Sequence, residues 1–134
     1  MRVAIAAFIA TLLAFLVLDM IWLTQFAVGM FQRAIGNLLR PTPSIPTIIV
    51  FYLVYAAALT TLAVLPSIER GSIIEAAWRS TLFGLAAYAT YDLTNYATLK
   101  DWPLSMALMD LAWGTSASAI AGILGYLAGQ YFHR

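Results

Sequence analysis

A chain of 134 residues that is 63% hydrophobic and only 10% charged, with a formal net charge of +1, cannot keep its outside wet as a soluble domain does. A soluble domain of this size still exposes about a third of the surface of its unfolded chain, so lipid is the expected solvent here. The absence of cysteine excludes a disulfide framework and thiolate metal sites, and the absence of a basic face excludes nucleic acid as a partner.

A membrane-crossing helix needs about 20 mostly apolar residues. The first qualifying stretch covers about 3–31. It begins with Arg2 and a long apolar run that reaches Asp19 without a small-x-small cleavage signal, so it reads as a retained span and not a leader. Arg33, Gly36, Asn37, Arg40 and the prolines at 41, 43 and 46 end it. The second span covers about 45–65 and is expected to stop at Pro66, Ser67, Glu69, Arg70 and Gly71. The third covers about 73–98. Near its start, Glu75 and Arg79 lie four apart and can pair along one face. Lys100, Asp101, Trp102 and Pro103 make a very tight turn, with Asp101 placed to cap the fourth span, about 103–132.

Connections this short force neighbours to run antiparallel. The expected fold is therefore all-α: one transmembrane domain over 1–134, an up-down-up-down four-helix bundle. The fourth span carries Gly114, Ser118 and Gly122, then Gly125 and Gly129, small-residue spacings that let another backbone come close. Ala6, Ala10 and Ala14 repeat the device in the first span. Counting cations places Arg2, Arg70, Arg79 and Arg134 on one side, against Arg33, Arg40 and Lys100 on the other. The positive-inside rule then sets both termini in the cytoplasm.

Three acids fall inside spans: Asp19, Asp92 and Asp110. A charge at the centre of a membrane helix costs about 2.5–3.5 kcal/mol on insertion scales, so each needs a reason. Asp92 and Asp110 both lie about 10 Å in from the Lys100 turn, at about 1.5 Å per residue. Asp19 belongs to the same half, because the first and third connections share a side. Tyr52, Tyr55, Tyr91 and Asn95 gather at that depth, with Asn95 on the face of Asp92. The first and fourth spans share D-x-x-W-x-T, as Asp19, Trp22 and Thr24 and as Asp110, Trp113 and Thr115. An inverted internal repeat is one source of such a match.

Two roles fit these acids. A neutral carboxyl can join helices by hydrogen bonds to Asn95, a tyrosine hydroxyl or a tryptophan N–H, each worth about 0.6 kcal/mol in a membrane. Alternatively, carboxyls in one layer, which cannot all ionise cheaply, can relay protons, hold a cation or receive a lipid or pigment head group. Trp102 fits the interfacial aromatic belt. The single histidine, His133, lies beside the C-terminus, so bis-histidine haem and Glu-x-x-His di-metal sites are excluded. No nucleotide-binding glycine loop is present either. No metal and no cofactor are expected.

The runs Asp19 to Trp22, Phe51 to Tyr55, YDLTNYATLKDWP from Tyr91 to Pro103, and DLAWGT from Asp110 to Thr115 resemble a family of small bacterial membrane proteins, the domain-of-unknown-function 2177 type. The resemblance covers nearly the whole chain. It implies a four-span protein of the bacterial inner membrane and carries no established reaction. The leading functional expectation is an accessory module that binds a lipid, a pigment, another membrane protein or a second copy of itself through its helices. A proton- or cation-coupled small transporter working as an oligomer, and a lipid-modifying enzyme with a carboxylate as acid or base, are the alternatives.

Overall fold

The computed structural model describes residues 1–134 as an antiparallel bundle of four helices with no strand. They are α1 (Arg2–Leu38), α2 (Ile45–Arg70), α3 (Ile73–Thr98) and α4 (Leu104–His133). Helices α1, α2 and α4 are long and apolar enough to cross a membrane. At about 1.5 Å per residue, the 26 residues of α3 also reach across, about 39 Å. It is the more polar helix, and several of its threonines fold their hydroxyls back onto the carbonyl four residues earlier, Thr81 to Ala77 at 2.7 Å and Thr90 to Ala86 at 2.6 Å.

The breaks differ from the sequence expectation in three places. First, α1 runs past Arg33 as far as Leu38, ending in a tight turn over Gly36–Leu38. Second, Pro66 does not stop α2. A proline inside a helix clashes with the carbonyl four residues before it. Here the turn ahead of it, Thr60–Val64, widens to π geometry and absorbs the conflict, so the helix continues to Arg70. Third, Asp101 does not cap α4; Pro103 occupies that position with extended backbone and no side-chain cap. The Trp102 ring is buried and draws the turn inward, away from a capping geometry. A second π turn, Leu23–Ala27, interrupts α1, next to a Thr24 hydroxyl that bonds the Met20 carbonyl at 2.7 Å.

The α2–α3 connection is built as an end stop. Gly71 takes the left-handed conformation at φ 65°, and the amides of Gly71 and Ser72 return to the carbonyls of Ile68 and Ser67. Ser72 then accepts the Glu75 amide at 3.1 Å and caps α3. Glu75 meets Arg79 at 2.7 Å, the pairing expected from their spacing, and also Arg70 at 3.0 Å.

Helix α4 is the axis of the bundle, flanked by α1 and α3, with α2 laid against α1. Its small residues are occupied within the chain. A Cβ on Gly125 would run into Thr11, one on Gly122 into Ser80, one on Gly129 into Ile68, and one on Gly84 of α3 into Ser118. The face that α1 turns inward is Ala7, Thr11, Phe15 and Asp19; Ala6, Ala10 and Ala14, expected to be the packing row, are half-buried beside it. The first half of α2 (Ile45–Leu59) packs mainly on α1, while its wide turn and the segment beyond it, Leu65–Arg70, close against α3 and α4. That splay leaves the other end of the bundle open inside.

Candidate functional site

In the open end, α1 and α2 bring Asp19 and Tyr52 together. The Tyr52 hydroxyl donates to Asp19 Oδ2, and both side chains are buried. From the next turn of α1, Trp22 Nε1 donates to Asp110 Oδ1 of α4 at 3.3 Å. The Trp22 ring lies flat on Trp113, with centroids 5.3 Å apart and 9° between planes. The two D-x-x-W-x-T segments therefore do meet, but not as mirror partners. Trp113 Nε1 is buried without an acceptor, while Asp19 is served from α2.

Asp92 comes in from α3. It is 0% exposed, and neither of its carboxyl oxygens has a donor. Its carboxyl adjoins that of Asp110, and Asp110 is also a near neighbour of Asp19. Asn95 is half-buried and gives Asp92 no hydrogen bond.

Below the acids, aromatic rings form the floor. Phe15 stacks on Tyr55 at 4.6 Å and meets Tyr52 edge-on at 6.0 Å. Ser118 donates to the Gly114 carbonyl at 2.7 Å, so Tyr55 must be the donor in its own 2.6 Å bond to Ser118. Tyr88, which sequence reasoning did not single out, sits over Gly114, where any Cβ would overlap its ring. The signal was there in the pairing of a glycine with an aromatic at the same depth on the neighbouring span. Tyr91 lies to the side, half-exposed, with its ring edge-on to Trp102 at 5.5 Å. Trp102, expected in an interfacial belt, is instead 4% exposed and packed between Tyr91 and Phe31. The short turn forces it under the bundle end.

Of these side chains, Asp19, Trp22, Tyr55, Tyr88, Tyr91 and Asp110 face a chamber of about 1280 Å³. Its wall runs along α1 from Asp19 to Gln32, passes Arg40 and Pro43 in the α1–α2 loop, and returns along α2 to Tyr55, with Tyr88 and Asp110 opposite. A shallower apolar groove of about 400 Å³ lies between α2 and α3, with Val50, Val54 and Phe83 in its walls, and shares Thr47, Phe51, Tyr55 and Ala87 with the chamber. Polar interior and helix flank thus adjoin across these four residues. Of the chamber's charged lining residues, Asp19 and Asp110 are acidic and only Arg40 is basic.

Residues 4–127 match the family model described as Predicted membrane protein (DUF2177), and the chain belongs to that family. No curated protein and no solved structure shows significant similarity to it.

Proposed function

Taking this DUF2177 membrane protein and its chamber together, we propose that it is a non-catalytic binding module that admits an amphiphile sideways from the bilayer. The carrying observation is that the chamber and the groove between α2 and α3 adjoin, with Thr47, Phe51, Tyr55 and Ala87 lining both. A chain-bearing ligand needs an apolar slot for its tail and a few convergent polar groups for its head, and small-molecule sites generally combine the two. The groove supplies Val50, Val54 and Phe83; the chamber supplies Asp19, Asp110 and the tyrosines. With cytoplasmic termini in a bacterial inner membrane, the chamber belongs to the outer leaflet. Membrane lipids are then the natural pool of ligands. The glycines of α4 are consumed by packing inside one chain, which leaves the chamber as the stronger reason for a partner.

The test is retention of a ligand. Native mass spectrometry of protein extracted from its own membrane is expected to find a bound lipid-sized mass. Ala87→Trp, which fills the junction of groove and chamber, is expected to remove that mass without unfolding the bundle. Wild-type protein that emerges free of any amphiphile overturns the reading.

A proton- or cation-coupled carrier is favoured by one separate observation, the buried Asp92 with no donor beside Asp110. That alternative requires that Asp92→Asn abolish a solute or proton flux measurable in liposomes.

A further inference from the structure

The acids of the chamber also bear on the chemistry of its occupant. Three carboxyl groups converge, and the protein gives them two donors: the Tyr52 hydroxyl on Asp19 and the Trp22 N–H on Asp110. Asp92, fully buried behind the chamber's lining, receives none. A carboxylate can accept about four hydrogen bonds, so most of the acceptor capacity here is unused. Buried polar groups left this way carry a desolvation cost, which a guest that donates to Asp19 and Asp110 relieves. No lysine, arginine or histidine of the chain stands among the acids; Arg40, the basic residue of the lining, belongs to the α1–α2 loop.

We infer that the chamber takes the ammonium head of a single- or double-chain amine, held between Asp19 and Asp110, with the alkyl tail leaving through the groove between α2 and α3. This rests on the lateral-uptake reading above and specifies its ligand. An ammonium brings three donors and one positive charge to a layer rich in acceptors. Hydrogen bonds to charged groups are worth about twice neutral ones, and that difference selects amine over alcohol. Tyr88, which lines the same space, adds an aromatic ring that attracts the cation. A carboxylate head meets only like charge there.

The experiment uses the full chain in phosphatidylcholine nanodiscs. Four probes with the same brominated alkyl chain carry a primary amine, a trimethylammonium, an alcohol or a carboxylate. They are compared at equal mole fraction in the bilayer, and quenching of tryptophan fluorescence reports occupancy, because Trp22 lines the chamber. The amine is expected to bind about tenfold tighter than the alcohol, and the carboxylate weakest of all. Asp19→Asn and Asp110→Asn are each expected to weaken the amine about tenfold and to leave the alcohol unchanged. The wild-type probe series stands alone if either variant fails to fold. Saturable binding in which the alcohol or carboxylate equals the amine overturns the inference while the lateral-uptake reading stands. If none of the four probes binds saturably, the lateral-uptake reading fails with it. Trimethylammonium binding as tightly as the primary amine overturns the hydrogen-bonded head and leaves a site selected by charge and rings alone.

Discussion

Toward the α2–α3 turn, the helices of this bundle touch backbone to side chain: Thr11 against Gly125, Ser80 against Gly122, Ile68 against Gly129. Toward the α1–α2 loop, the same helices stand apart around a chamber, and rings replace glycines as the contact. The difference follows from where α4 keeps its small residues. From Ala117 to Gly129 its buried residues are small apart from Tyr126, so its neighbours close on it. Ahead of that stretch, Asp110 and Trp113, the latter stacked on Trp22, hold them apart. Association of helices in lipid depends on such close packing and on hydrogen bonds, since apolar burial alone gains nothing over lipid tails. The closed half therefore holds the fold, and the open half is free to carry polar groups that weaken it.

That division can be broken most visibly in the closed half. Gly125→Leu places a side chain against a β-branched Thr11 and the Ala7 backbone carbonyl, neither of which has room to move. It is expected to cost about 3 kcal/mol in thermal or denaturant unfolding in detergent. Gly114→Ala, in the open half, displaces a Tyr88 ring that has the chamber to turn into, and about 1 kcal/mol is expected. Equal losses at the two glycines would erase the distinction between the halves.

A smaller effect sharpens it within the open half. Tyr52→Phe leaves Asp19 buried without its donor, and unfolding is expected to show a loss of about 1–2 kcal/mol. The smallest effect is expected at Asp92. It has no donor to lose, and an amide in its place can donate to Asp110, so Asp92→Asn should unfold no earlier than wild type. A drop of more than about 1 kcal/mol would mean that Asp92 is held by the fold, not merely tolerated by it.

Much of this was legible from residue order. Span lengths and the short connections dictated the bundle, and equal depth from the Lys100 turn put Asp92 level with Asp110, with Asp19 in the same half. The partner of each acid was not legible. Two copies of D-x-x-W-x-T suggest reciprocal bonds, yet the stacking of Trp113 on Trp22 directs only one indole N–H at an acid, while Tyr52 reaches Asp19 from a third helix. Nor did the order of residues reveal the gap between α2 and α3. Hydropathy says which segments cross and how deep a residue lies, and nothing about how far apart two crossings stand. Trp102 and Asp101 show a further limit: in so short a turn, the burial of one ring decided the backbone, against the ordinary capping preference of its neighbour.

The two π turns have a consequence for how this chain can change. Each residue of an α-helix advances the direction of its side chain by about 100°, so a stripe repeating every four residues drifts around the helix by about 40° per step. In α2 the buried stripe Tyr52, Ala56, Thr60, Val64 and Ile68 keeps that four-residue repeat for four steps, which an unbroken helix would carry well round toward the opposite face. The extra residue in Thr60–Val64 resets the phase. In α1 the buried pair Trp22 and Ala27 is five apart across its own wide turn. A one-residue deletion or insertion in either turn thus rotates the chamber wall against the packed end, while leaving the side chains within each half in register. Helices α3 and α4 have no such joint, and the same change there would misalign every contact beyond it.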